Sequence, residues 1–156
     1  LSGIGAFKSG GRWNVPARMK VVYLSDQPDT AMYKANEHYR YYRLPISQGM
    51  PRVTVAVMVK LESVLDLTDM NVAATLPDPM KTLLAEDWRA VMNGGDEATT
   101  QTIGSAAFNV GLQALLVPSK PHPAGRNLLV FPENLTVDCR LEVHNAAALA
   151  KLGKNI

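Results

Sequence analysis

Arg12 follows the glycine pair Gly10-Gly11 and precedes Trp13-Asn14, and Tyr23 lies in the strand-like run Val21-Val22-Tyr23-Leu24-Ser25. One loop and the strand it enters therefore hold a fixed cation, an aromatic ring and a phenol hydroxyl. Adjacent glycines reach backbone angles closed to other residues and let a ligand or another segment approach the main chain. The guanidinium is a planar donor fork matched to phosphate or carboxylate, and a phenol can donate or accept a hydrogen bond. Spacing alone favours a plainer description, a tight turn with Arg12 in a surface ion pair and Trp13 in the core. Tyr23 reads equally as a pocket residue and as a half-buried strand tyrosine.

Other groups with chemical potential are scattered. Ser119 follows a strand and Pro118, but His38, His122 and His144 stand at no spacing that completes a hydrolase triad. No phosphate-binding glycine loop of Walker type, no histidine pair at i and i+4 and no calcium loop occurs, so no metal is implied. Glu37 neighbours His38, Arg40 and Arg43 and reads first as a solvated charge.

The composition narrows what these residues can serve. With 156 residues, 47% of them hydrophobic, the chain is long enough for one domain with a core and short for two. Sixteen basic against 14 acidic residues leave a net charge of +2, and no block of like charge tracks a phosphate backbone, which argues against direct nucleic-acid binding. Cys139 is the single cysteine, which excludes an internal disulfide and reads as a small hydrophobe on a strand in a reducing compartment. No apolar run reaches the roughly 20 residues of a membrane span and no secretion signal is visible, so a soluble, cytoplasmic protein is expected.

Periodicity supplies the elements that position the loop. Val21–Ser25 is expected as a strand, and Pro28 opens a helix to about Tyr42 with Asp26 as its cap. Val53–Leu61 alternates cleanly and predicts a strand with one face on the core. A helix is expected from about Met80 to Val91, closed by Asn93-Gly94-Gly95. A second runs from Ala98 to about Asn109 with Ile103, Ala106, Ala107 and Val110 as its apolar stripe. Gly104 lies inside that helix at a cost of about 1 kcal/mol relative to alanine, which points to a close backbone contact. Leu115–Val117, Leu128–Phe131 and Cys139–Val143 read as further strands and Ala146–Leu152 as a terminal helix. The fold class is α+β, a mixed and mainly antiparallel sheet core with flanking helices.

Several segments resemble the RES domain family in the family's order. They are Ser2-Gly3 through Asn14, the Val-Tyr-Leu-Ser strand, Gln101-Thr102-Ile103-Gly104-Ser105-Ala106-Ala107, Leu115 to Ser119, and Gly125-Arg126-Asn127-Leu128-Leu129-Val130-Phe131-Pro132. The resemblance runs from the first residue to about Val143. It implies a fold similar to ADP-ribosyltransferases and a single RES-like domain over residues 1–156. It also implies a toxin of a bacterial toxin–antitoxin pair that consumes NAD by hydrolysis, phosphorolysis or ADP-ribosylation of a protein, in complex with a neutralising antitoxin or immunity partner. Relatives carry a strand with a further arginine before the segment seen here, and the chain opening at Leu1 is expected to lack it.

The resemblance also assigns roles. Arg12 and Tyr23 match the arginine and tyrosine that line the family's NAD pocket, and Ser119 takes the place of the serine that ends the family's name, where it would hold ribose or carboxamide. Gln101 would contact the bound NAD, or else serve only the packing of its helix. Arg126 and Asn127 would orient the Ser119 loop. The family's glutamate, whose carboxylate faces the cation formed when nicotinamide leaves, aligns with Lys34. Glu37, three residues on and on the same helical face, is the substitute that geometry offers. Three readings stay open: Glu37 has taken over, lysine has been introduced for a natural glutamate, or the domain is a catalytically silent binding module.

Overall fold

The computed structural model describes residues 1–147. Its elements in chain order are α1 (Ile4–Ser9), β1 (Val22–Ser25), α2 (Pro28–Tyr41), β2 (Val57–Lys60), β3 (Val64–Asp66), α3 (Met70–Ala73), α4 (Met80–Ala85), α5 (Trp88–Asn93), α6 (Thr99–Asn109), β4 (Ala114–Pro118), β5 (Arg126–Val130) and β6 (Arg140–Val143). Four strands form one sheet in the order β1-β5-β4-β3, and β2 pairs with β6 in a second. The β1–β5, β4–β5 and β2–β6 pairs are antiparallel and β3–β4 is parallel, so the expected α+β class with a mixed, mainly antiparallel sheet holds.

The register fixes what each sheet face carries. Tyr23 pairs with Leu129 and Leu129 with Leu115, while Leu24, Leu128 and Leu116 form the next row. Side chains alternate across a strand, so these rows point to opposite faces. The Tyr23 face meets Trp13, Met19, Leu67 and Ala107 in the main core, where Leu115, Leu129 and Phe131 are fully buried. Each such side chain contributes about 1.5–3 kcal/mol by leaving water. The other face carries a smaller cluster of Val22, Ala114 and Val130 with Leu61 and Leu141 packed against it.

Several expectations are corrected. The strand expected over Val53–Leu61 forms only from Val57 to Lys60, because its partner β6 spans only Arg140–Val143 and the chain turns at Asn145, which takes a positive φ. Val53 is accordingly 62% exposed. The single helix expected over 80–91 is two, since Asp87 accepts a hydrogen bond from Ala90 N at 3.1 Å and starts α5 anew. Along α6 the buried face is Thr100, Gln101, Gly104, Ser105 and Ala107, whereas Ala106 and Val110 face solvent. Ala107 joins the main core and Ile103 and Phe108 pack against it, while Gly104 meets the Trp13 carbonyl directly, so small and polar groups face the Arg12 loop.

Asp26 does not cap α2. Gln27 holds that position without a side-chain bond, and Asp26 instead binds Arg126 through N (3.0 Å) and Nε (3.2 Å). That pairing crosses from the end of β1 to the start of β5, where Arg126 is the register partner of Pro118, the residue before Ser119. Asn127, whose Oδ1 accepts from Ser25 Oγ at 2.8 Å, is likewise part of the β1–β5 seam. α1, β3 and α3 are elements that periodicity leaves unread. Of the terminal helix expected over Ala146–Leu152, the part from residue 148 lies outside the described residues.

Candidate functional site

The Gly10–Asn14 loop is built by bonds from three sides. Gly10 has φ 68°, a left-handed conformation that glycine adopts without steric cost. Gly11 and Asn14 exchange backbone hydrogen bonds of 2.9 and 3.3 Å. A Cβ on Gly11 would lie 2.5 Å from the Tyr23 hydroxyl, so the glycine makes room for the tyrosine.

Helix α6 supplies the second side. Gln101 Nε2 donates to Gly11 O at 3.0 Å and Asn14 O at 3.3 Å, and its Oε1 accepts from Ala98 N at 3.0 Å. Thr100 Oγ1 donates to Arg12 O at 2.6 Å. Gly104 lies against the Trp13 carbonyl, where a Cβ would collide with the oxygen. Gln101, read as a possible NAD contact, is thus wholly buried with its amide engaged by the loop.

From the third side, Asn14 Oδ1 accepts from the Tyr23 hydroxyl at 2.9 Å, and that hydroxyl accepts from Trp13 N at 3.2 Å. Burial raises the Tyr23 pKa strongly, so the phenol stays neutral. Its oxygen belongs to the loop, and the ring face is what it offers to its surroundings.

Arg12 is buried to 8% exposure, and Nη1 donates to Glu86 O (3.1 Å) and Leu83 O (3.4 Å), capping the carbonyl end of α4. Burial lowers its pKa and the charge of Glu37 works against that lowering. The ammonium of Lys34, on α2, lies 4.4 Å from the centre of the Tyr23 ring. Desolvation pulls its pKa down to about 8; Glu37 opposes this, and Arg12 and Arg89 reinforce it.

One turn along α2, Glu37 stands 3.9 Å from Arg89 Nη1. Arg89 spreads over Trp88 (4.4 Å) and Tyr41 (4.8 Å), and the Tyr41 hydroxyl donates to the Asp87 carboxylate at 3.0 Å. Lys120 shares this field: burial lowers its pKa first, and Arg12 adds to the effect.

Arg12, Tyr23 and Glu37 are therefore brought together, with Lys34 among them. Tyr23 and Lys34 line a cleft of about 810 Å³ between β1, α2 and the segment leading into β2. Ser119 lies apart from that cleft. It lines a separate hollow of about 280 Å³ with Lys81, Leu84 and Lys120, and its buried Oγ has no hydrogen-bond partner. Its loop is tied to α2 by Thr30 Oγ1 to His122 Nδ1 (2.9 Å) and by Tyr33 stacked on His122 at 5.0 Å.

Sequence reasoning missed Arg89 and Lys120. Lys120 was within reach as the neighbour of Ser119; Arg89 joins the site only by the long-range packing of α5 on α2, for which the chain carries no local signal.

Over 119 residues the chain is 28% identical to the NAD(+) phosphorylases MbcT of Mycobacterium bovis and Mycobacterium tuberculosis. The match covers 76% of this chain and 60% of theirs, so the chain spans under two thirds of the length of these relatives. The crystal structure of the M. tuberculosis MbcT–MbcA toxin–antitoxin complex superposes with a TM-score of 0.68 at 24% identity, covering 93% of this chain and 74% of that one, and so shares its fold. Among the described residues no helix is long and apolar enough to cross a membrane. A model of the RES domain matches residues 1–147, and the chain belongs to the RES domain family.

Proposed function

We propose that this chain is a RES-type toxin that binds NAD and breaks the bond between nicotinamide and ribose. The observation that carries this reading is the convergence of the family's Arg12 and Tyr23 with a mixed cluster of Lys34, Glu37, Arg89 and Lys120. The cations suit a pyrophosphate, and the Tyr23 ring offers a surface for ribose or nicotinamide. Nicotinamide departs with the electron pair of the C–N bond, and positive charge develops on the ribose carbon. Asp26 lines the cleft but is bound to Arg126, so Glu37, one turn along α2 from Lys34 and in a long 3.9 Å contact with Arg89, is the carboxylate assigned to this demand. The unpartnered Ser119 hydroxyl belongs to the separate hollow beside Lys120 and serves a part of the ligand that extends there. Water or phosphate then adds to the ribose carbon. The names of the MbcT relatives support phosphate, and their complex with MbcA supports a neutralising antitoxin for this chain as well.

A second reading has its own observation. With Lys34 over Tyr23, a cation occupies the place where the reaction needs an anion, which suits a silent module that holds an anionic nucleotide.

Incubation with NAD, with and without inorganic phosphate, separates the two by release of free nicotinamide. Turnover that requires Glu37 supports cleavage. NAD binding without release, by the protein and by its Glu37→Gln variant alike, supports the silent module.

A further inference from the structure

The large cleft is walled by two unbroken runs of chain. Every residue from Val22 to Asp26 lines it on one side, and residues 52–57 on the other. Side chains alternate across a strand, so a strand face would contribute only every second residue. Unbroken runs mean that the strand edges themselves border the cleft.

The pairing identifies the main-chain groups on those edges. Asp26 N donates to Arg126 O at 3.1 Å, one step past the Ser25–Asn127 pair, so Val22, Leu24 and Asp26 serve β5 while Tyr23 and Ser25 turn their main-chain groups outward. On the opposite wall His144 N donates to Ala56 O at 2.8 Å, so Ala56, Met58 and Lys60 serve β6 while Val55, Val57 and Val59 turn theirs away from it. β1 ends its sheet, and β2 is paired on one side only. Among the described residues none of these outward N–H and C=O groups has a hydrogen-bond partner.

Two open edges facing one apolar cleft suit an extended main chain, which can pair with both rows at once. Its alternate side chains would rest on Leu116 and Leu128. Of the two cations in the cleft, Arg52 is committed to Gly49 O (2.8 Å) and Asn36 Oδ1 (2.5 Å). Lys34 has no ion-pair partner among the described residues, since the Glu37 carboxylate goes to Arg89.

We propose that the cleft is a slot for an extended segment of a partner protein, which inserts between β1 and β2 as an added strand and joins the two sheets. The segment is about six residues long, or ~20 Å of strand. It carries apolar side chains at alternate positions and an acidic residue for Lys34. The charge at Lys34 selects the partner's sequence, and the solved structure that shares this fold is itself a complex of two proteins. A strand seated over Tyr23 and Lys34 would also close the proposed NAD pocket; that consequence alone rests on the cleavage reading.

The test begins with amide hydrogen exchange read residue by residue by nuclear magnetic resonance. In the free protein the amides of Tyr23, Ser25, Val57 and Val59 should exchange fast, and those of Leu24 and Met58 slowly. A displayed library of random seven-residue peptides is then selected on the protein and the best binder is synthesised. It should alternate apolar residues, contain Asp or Glu, and protect the four fast amides. Methylating its alternate backbone nitrogens should weaken binding at least ~10-fold. Val57→Pro removes an outward N–H and no sheet bond, so circular dichroism should be unchanged while affinity falls at least ~10-fold.

Three results overturn the proposal: the four amides already protected in the free protein, which means another segment fills the slot; no peptide enriched; or a peptide whose affinity survives backbone methylation. The methylated peptides act on the unaltered protein, so the test stands even if Val57→Pro does not fold. Peptide binding is measured without NAD, so it succeeds or fails independently of nicotinamide release.

Discussion

The Lys34 ammonium lies 4.4 Å from the centre of the Tyr23 ring, while the hydroxyl of that ring is fixed by Trp13 N and Asn14 Oδ1. The two residues join α2 to the Arg12 loop. A change at position 34 is therefore felt at the ring proposed above as part of the NAD pocket.

Lys34→Glu reverses the charge over Tyr23 and puts a carboxylate in the field of Arg12 and Arg89. If the remainder of the pocket is competent, nicotinamide release from NAD rises at least ~10-fold, which corresponds to about 1.4 kcal/mol of barrier. Chromatography of free nicotinamide under steady-state conditions checks this. No gain in a folded variant removes position 34 as the point where activity was lost.

The pH dependence of stability follows from the lowered Lys34 pKa of about 8. Between that value and the ordinary lysine value the unfolded chain binds more protons than the folded one, so stability rises with pH in that window. The cost of burying the ammonium is full below pH 8. Relative to Lys34→Met, the melting temperature of the protein should climb as pH goes from 8 to 10. Above pH 10 the raised Tyr23 pKa acts in the opposite sense, because the unfolded phenol ionises first. Thermal scans of both proteins across pH 7–10 test the sign.

Ser119→Ala removes a buried hydroxyl that has no protein partner. Folding should be unchanged or slightly improved, within about 0.5 kcal/mol. If the hydroxyl serves the ligand, NAD affinity falls by about 1 kcal/mol, or roughly fivefold. Denaturant melts and titration calorimetry read the two effects apart, and a large loss of stability would show that the oxygen has a structural duty.

Gly104→Ala inverts the usual rule for helices. Alanine normally gains about 1 kcal/mol over glycine inside a helix, but here the new methyl meets the carbonyl of Trp13. A loss of about 1–3 kcal/mol is expected from overpacking against backbone. Urea unfolding measures it, with nicotinamide release as a second readout, since the displaced carbonyl belongs to the residue beside Arg12.

Much of this was legible in the chain. β1, α2, α6, β4 and β5 follow from alternation, from Pro28 and from the helical run after Ala98, and the glycine inside that run correctly marks a close backbone contact. The break at Glu86-Asp87 was written in Asp87 as a helix cap, but the apolar pattern of Leu83, Leu84, Trp88 and Val91 ran across it and hid it. The strand over Val53–Val55 failed because alternation describes a face and not a partner. The apolar stripe of α6 was half right: Ile103 and Ala107 pack on the core, but the face that carries Gly104 meets main chain, and Ala106 and Val110 are left to solvent. Arg12 and Tyr23 were singled out by resemblance, whereas Arg89 joins the candidate site through its contact with Glu37 on α2 and is silent in any short motif.

The bonds that Thr100 and Gln101 make to the Arg12 loop are formed when α6 docks, long before any ligand arrives. Capture of an anion therefore does not have to freeze a mobile glycine turn, and little chain entropy is left to lose at that step. On the proposed reading, in which this loop holds the phosphates of NAD, affinity should change little over a wide temperature range and respond chiefly to ionic strength.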